Sequence, residues 1–161
     1  MRDIFVSGST ILITVIFLFI TSRNVLPNSS LYKVKRATEY LEELPAFSTT
    51  DKLHLYYSFL DRRFNEFTGL VDDTETYAIL AASSRYSATA GKIKILTLET
   101  GSDEMINQTI FKLESHQSKF EELLTSPTIN SYNEKHILEV INYLDLYIQE
   151  LTSTQTSSNQ Q

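Results

Sequence analysis

The sequence contains no cysteine. That excludes a disulfide framework, a thiolate metal site and a cysteine nucleophile, and it fits reducing and oxidising surroundings equally well. Glycine occurs four times and proline three times in 161 residues. So few turn-formers argue against the many tight turns of a sandwich or barrel and for a small number of long helices. Clustered basic charge is also missing. The formal net charge is −6, and the densest cationic group, Lys33, Lys35 and Arg36, is followed at once by Glu39, Glu42 and Glu43. Nucleic acid is gripped mainly through its phosphates by clustered cations, so no nucleic-acid partner is expected. These charges read instead as pairs on a helix surface.

The signatures of catalysis are absent as well. There is no G-x-S-x-G, no glycine-rich phosphate loop and no calcium-loop pattern. The three histidines, His54, His116 and His136, fall on three different segments, and none has the four-residue spacing of a zinc-binding helix. His54 lies between apolar positions and reads as packed or half-exposed, whereas His116 and His136 are flanked by polar residues and read as solvated. The carboxylate neighbours Glu42 and Glu43, Asp72 and Asp73, and Glu121 and Glu122 point in different directions on a helix, so they do not make an acid/base pair. The expectation is a protein that is not an enzyme, with no catalytic, cofactor-binding or metal-binding residues and no cofactor.

Apolar material is plentiful: 42% of the residues are hydrophobic, and the aromatic ones are nine Tyr and nine Phe. This suffices for the core of one ordinary domain and excludes wholesale disorder. The run IFVSGSTILITVIFLFI, bounded by Ile4 and Ile20, carries no charge. As a helix it covers about 26 Å, near the hydrocarbon thickness of a bilayer, so membrane lipid is its expected partner. Cleavage after Ser22 would leave the bulky Ile20 where a signal peptidase wants a small residue, so the segment reads as a retained single-pass signal-anchor. A naive count of cations, Arg2 before the run against Arg23, Lys33, Lys35 and Arg36 after it, keeps the domain in the cytoplasm. The flank 24–31 is uncharged, however, and three of those cations sit beside carboxylates in a helix, so an extracytoplasmic domain is expected.

Five further helices follow from apolar spacing and its punctuation. The first spans 31–44, with Leu31, Val34, Ala37, Leu41 and Leu44 in helical period, an N-cap within Asn28-Ser29-Ser30, and Pro45 as its stop. Ser48-Thr49-Thr50-Asp51 starts a second over 50–68, carrying Leu53, Tyr56, Leu60, Phe64 and Phe67, with Tyr57 and Phe59 widening the stripe and Gly69 as its cap. The third, 72–99, keeps Tyr77, Leu80, Ala81, Ser84, Ala88, Gly91, Ile95 and Leu98 in period, and its small residues invite close approach by a neighbour. A fourth over 103–125 follows the break at Gly101-Ser102-Asp103 and carries Ile106, Ile110, Leu113, Phe120, Leu123 and Leu124. The last, 132–151, opens on the capping box Ser131-Tyr132-Asn133-Glu134 and buries Ile137, Val140, Ile141, Leu144, Ile148 and Leu151. The organisation is therefore all-α: an anchor over 1–22, a linker over 23–30, a bundle of about five helices over 31–151 and a disordered polar tail over 152–161.

The segment PNSSLYKVKRATE from Pro27 to Glu39, followed by Lys52-Leu53-His54-Leu55 and Asp61-Arg62-Arg63-Phe64-Asn65-Glu66, resembles an uncharacterised bacterial family of membrane-tethered, all-helical domains, some relatives of which are linked to sigma-factor regulators. The likeness covers about residues 27–68. It implies one anchoring helix and a domain outside the cytoplasm, and it implies no activity. Read as residues alone, Lys35 pairs with Glu39 and Arg63 with Glu66, and across a hairpin the four would form a small network around the Tyr32 hydroxyl. The functional expectation is a membrane-anchored, non-catalytic domain acting through contacts with an unknown protein partner, as an envelope accessory or sensor. The alternative is a structural protein that associates with itself.

Overall fold

The computed structural model describes Ser29 and residues 31–71 and 76–158. The anchor run, most of the linker and Asp72-Asp73-Thr74-Glu75 lie outside the described residues. Among the described residues there are five helices and no strand, and none of these helices is long and apolar enough to cross a membrane. The helices are α1 (Tyr32–Glu43), α2 (Thr49–Val71), α3 (Thr76–Thr100), α4 (Asp103–Leu124) and α5 (Ser131–Ser158). The chain divides into two compact units, Met1–Pro45 and Ala46–Gln161. The first holds α1 and the second holds the other four helices.

Local chemistry sets most of the helix starts. Ser29 accepts the Leu31 amide on its side chain at 3.3 Å and the Tyr32 amide on its carbonyl at 3.0 Å, opening α1. Ser48 and Asp51 exchange bonds at the start of α2, with Ser48 Oγ taking the Asp51 amide at 3.0 Å and Asp51 Oδ2 the Ser48 amide at 3.4 Å, so the exposed Asp51 carboxyl is held below its ordinary range by Ser48. Ser102 caps α4 by accepting from Met105, with Asp103 and Glu104 in the first turn where the helix dipole favours them. At α5 the cap is Asn130, not Ser131: its side chain accepts the Asn133 amide at 2.9 Å and its carbonyl the Glu134 amide at 2.9 Å.

Two helices overrun their expected ends. Gly69 does not terminate α2, because Leu70 and Val71 continue the buried face and the Val71 carbonyl accepts from Asn133 Nδ2 at 2.9 Å. The only left-handed glycine among the described residues is Gly101, at φ 61°, which closes α3. α5 reaches Ser158, into the segment expected to be tail. There Thr152, Ser153, Thr154 and Thr156 satisfy their hydroxyls on carbonyls three or four residues back, and Gln155 Nε2 reaches Asn107 Oδ1 at 3.1 Å. The polar side chains of this helical end thus find partners on its own carbonyls and on a neighbouring helix.

In the second unit α2 packs on α3, and both α3 and α4 pack on α5. Side chains add an α2–α4 seam: Tyr57 meets Thr109, Asp61 meets His116, and Phe64 meets Phe120. The partner numbers rise together, so α2 and α4 run in the same direction. The same holds for α3 and α5, where Gly91 lies by Tyr147 and Lys94 pairs with Glu150. The core comprises Leu53, Leu60, Phe67 and Leu70 of α2, Ile79, Tyr86 and Ile93 of α3, Leu113 and Phe120 of α4, and Ile137, Leu144 and Leu151 of α5.

Burial departs from the apolar spacing on two helices. On α3 the buried positions are Ile79, Ala82, Ser83, Tyr86, Ala90, Ile93, Leu96 and Thr97, whereas Leu80, Ile95 and Leu98 of the expected stripe are exposed. α3 carries apolar residues on two faces, and the one with Tyr86 is buried. On α1 the inversion is sharper: Tyr32, Lys35 and Glu39 are buried, while Leu41 is 58% and Leu44 57% exposed.

Candidate functional site

Three polar constellations stand out, one on each side of the bundle's core and one within it. The first lies on the α2–α4 seam. Asp61 Oδ1 accepts Lys112 Nζ at 2.6 Å and His116 Nε2 at 2.9 Å. Asp61 is half-exposed, but His116 retains only 1% of its surface, enclosed by Phe64 edge-on at 5.4 Å and by the Tyr86 ring stacked at 5.9 Å. Burial would raise the Asp61 carboxyl, but the hydrogen bonds from Lys112 and His116 outweigh it and hold the group below its ordinary range. His116 is pushed down to about 4, chiefly because burial penalises the imidazolium, with Asp61 opposing. The ring is therefore neutral at pH 7. A carboxylate can only accept, so Nε2 carries the proton and Nδ1 a bare lone pair. That Nδ1 is buried and has no hydrogen-bond partner, and the same is true of the Tyr86 hydroxyl. An unprotonated imidazole nitrogen closed off from solvent is not placed to take a proton from a substrate. The arrangement works as a strut that ties α4 to α2.

The second constellation is a directed hydrogen-bond chain. Thr97 Oγ1 bonds the Ile93 carbonyl at 2.9 Å and so donates there. It must then accept from Thr109 Oγ1 at 2.7 Å, and Thr109 accepts from Tyr57 Oη at 2.6 Å. Three hydroxyls from α2, α4 and α3 are satisfied in sequence across the core, which makes their burial tolerable. Burial raises the Tyr57 hydroxyl above its ordinary range despite the threonine bonds.

The third is an open groove of about 450 Å³ between α3 and α5. Its α3 wall is Ser83, Ser84, Ser87 and Ala88, and its α5 wall is Glu139, Tyr143 and Tyr147, the two tyrosines stacked at 6.1 Å. One turn on, Gly91 lets Tyr147 come close: a Cβ built there would stand 3.0 Å from the Tyr147 hydroxyl. At Gly91 the missing side chain thus makes room for a tyrosine of the neighbouring helix. Lys94 bonds Glu150 and lies 5.2 Å over the Tyr147 ring. Leu80, Ile95 and Leu98 share the helical stripe of Ser84, Ala88 and Gly91 and are exposed, as is Leu146 beside Tyr143 on α5.

The histidines are placed the other way round from their sequence reading. His54 is exposed, while His116 and His136 are buried. His136 gives Nδ1 to Glu139 Oε2 at 2.7 Å and packs edge-on against Tyr132 at 4.6 Å. A signal was present in both cases: His116 sits three after Leu113 and four before Phe120, and His136 three after Asn133 and four before Val140, all of them buried. Polar sequence neighbours hid positions that helical period assigns to the core. Among the described residues no group of three or more His, Asp or Glu side chains has the geometry to hold a metal ion.

Of the charged residues in the resemblance, Arg63 and Glu66 form a buried ion pair within α2. In α1 Glu39 receives Arg36 at 2.9 Å, and Lys35 and Glu39 are both buried. The carboxylates Glu121 and Glu122 are exposed and lie apart from every constellation above. In comparisons with known proteins the chain matches no family model, no curated protein and no solved structure.

Proposed function

We propose that this chain is a single-pass membrane protein, anchored through the run between Ile4 and Ile20, that presents a non-catalytic helical domain outside the cytoplasm and acts through protein–protein contacts, as an accessory or sensor of the cell envelope. The observation that carries the reading is the second apolar stripe of α3, which the bundle leaves uncovered beside the Tyr143 and Tyr147 groove. Tyrosine-lined clefts rimmed by exposed aliphatic residues are the surfaces on which protein contacts concentrate. The likeness of 27–68 to a membrane-tethered bacterial family supports the anchor and the outward orientation.

Two measurements test the proposal. A C-terminal tag on the full chain should be cut by protease added to intact cells whose outer barrier has been opened; protection until the membrane is breached would place the domain in the cytoplasm. Photocrosslinking from position 143 in cells should trap a discrete protein, and the double substitution Ile95→Glu and Leu146→Glu should abolish that product while leaving the helical content unchanged. A crosslink only between copies of the chain would favour self-association. Unchanged trapping in the double variant would remove the groove from the proposal.

A further inference from the structure

α1 is built inside out. With 3.6 residues per turn, Tyr40, Lys33, Leu44, Ala37 and Leu41 fall in that order within an arc of about 100°, and the buried Tyr32, Lys35 and Glu39 lie on the opposite side. All five residues of the arc are exposed. The only charge in it is the cation Lys33, and the carboxylates Glu39, Glu42 and Glu43 all fall outside it. A short helix that buries ions and exposes two leucines and a tyrosine is unfavourable in water unless something apolar covers it.

The chain itself limits what that cover is. Only residues 21–30 separate the uncharged run ending at Ile20 from Leu31. Even fully extended, this stretch reaches roughly 40 Å, so a chain held in a bilayer by the run keeps α1 near the surface. We infer that α1 lies in the membrane interface, with Leu41, Leu44 and Ala37 among the upper acyl chains, Tyr40 at the headgroup level and Lys33 extended towards lipid phosphates. The inference rests on the anchor reading above and deepens it: the membrane holds the first helix of the domain as well as the run before it. An amphipathic face with a tyrosine at one edge and a cation next to it suits that position, since the lysine's aliphatic stem buries while its ammonium stays at the phosphates.

The sequence contains no tryptophan, so a single introduced indole reports its own surroundings. Four variants of the full chain, Phe17→Trp in the run, Leu41→Trp and Leu44→Trp in the arc, and Phe111→Trp on the exposed face of α4, are reconstituted in phosphatidylcholine and phosphatidylglycerol vesicles. Quenching by a nitroxide near the headgroup end of the lipid chains is compared with quenching by aqueous iodide. The expected result is lipid quenching at 41 and 44 several-fold stronger than at 111, with iodide quenching weakened by a similar factor. Lipid quenching at 17 with iodide quenching at both 41 and 44 would overturn the inference and leave the anchor standing. Shielding of 41 and 44 from both quenchers would overturn it in favour of a protein cover, a second copy included. Iodide quenching at 17 would remove the anchor itself, and the inference with it.

Discussion

The two parallel seams of the bundle solve the same packing problem with opposite means. Between α2 and α4 the chain places large rings, with Phe64, Phe67 and, from α3, Tyr86 all edge-on to Phe120 at 5.0, 5.2 and 4.9 Å, and closes the seam around the fully buried Phe120. Between α3 and α5 it places serine, alanine and glycine against tyrosine, so the Tyr147 hydroxyl reaches Gly91 while a groove stays open a turn away. Interdigitated rings bury much area per residue and tolerate little change. A seam of small residues makes room for long side chains from its neighbour and leaves its tyrosines half in water. The closed seam buries the larger rings, and the open one leaves a groove accessible to solvent.

The largest test of that contrast is truncation at each seam. Phe120→Ala removes the ring on which three others converge, and denaturant unfolding should show a loss of about 3–5 kcal/mol. Tyr143→Ala at the groove, where the side chain is already half-exposed, should cost below about 1 kcal/mol by the same measurement. Similar losses at the two positions would break the distinction.

Acid should act on the closed seam next. The pKa of His116 lies at about 4 in the folded chain against an ordinary 6.5, so the unfolded chain binds the proton first as pH falls. Stability from this residue is complete above pH 6.5, declines between 6.5 and about 4, and is lost below, by up to roughly 3 kcal/mol. Asp61, held below its ordinary range, adds a further loss at still lower pH as its carboxylate is protonated. Urea midpoints measured across this range should fall steadily in the native chain and flatten between 6.5 and 4 in His116→Gln. A native profile already flat there would mean that the seam admits water to the imidazole.

The open seam has its own steric limit. Gly91→Leu must push the Tyr147 ring aside, and should lose about 1–3 kcal/mol in thermal unfolding. Gly91→Ala needs only a few tenths of an ångström from the tip of a half-exposed tyrosine, and the gain in helix propensity should leave it up to about 1 kcal/mol more stable. A loss with alanine as large as that with leucine would show that the tyrosine is as firmly fixed as the rings of the other seam.

These elements also show what apolar spacing conveys and what it does not. The helix starts at Ser48, Ser102 and around Asn130 are local events, set by a side chain and an amide a few residues apart, and were legible. The C-terminal stops were less so, since Gly69 reads as a cap until Val71 is seen to accept from Asn133, sixty-two residues away in sequence. Which face of α3 turns inward was not legible either, because Leu80, Ile95 and Leu98 compete with Ile79, Ile93 and Leu96, and only the partner helix decides. α1 is the extreme case, as Leu41 and Leu44 are exposed while Lys35 and Glu39 are buried. The two buried histidines lay in plain helical register with Leu113, Phe120 and Val140, and were hidden only by the polarity of their immediate neighbours.

The smallest expected effect concerns the orphaned hydroxyl at the centre of the closed seam. Tyr86 is fully buried, its ring holds His116 and Phe120, and its hydroxyl, driven well above its ordinary pKa by burial and by the nearby Asp61 charge, has no hydrogen-bond partner. A buried hydroxyl without a partner gives up its water and gains no bond in return. Tyr86→Phe keeps the ring and removes the orphan, so unfolding should show no loss and a gain of up to about 1 kcal/mol. Tyr57→Phe makes the same chemical change at a hydroxyl that heads a satisfied chain, and should instead lose about 1 kcal/mol by removing the donor to Thr109, which keeps only its bond to Thr97. If both variants lose stability equally, a buried water bonds the Tyr86 hydroxyl, and the seam is closed to bulk solvent but not dry.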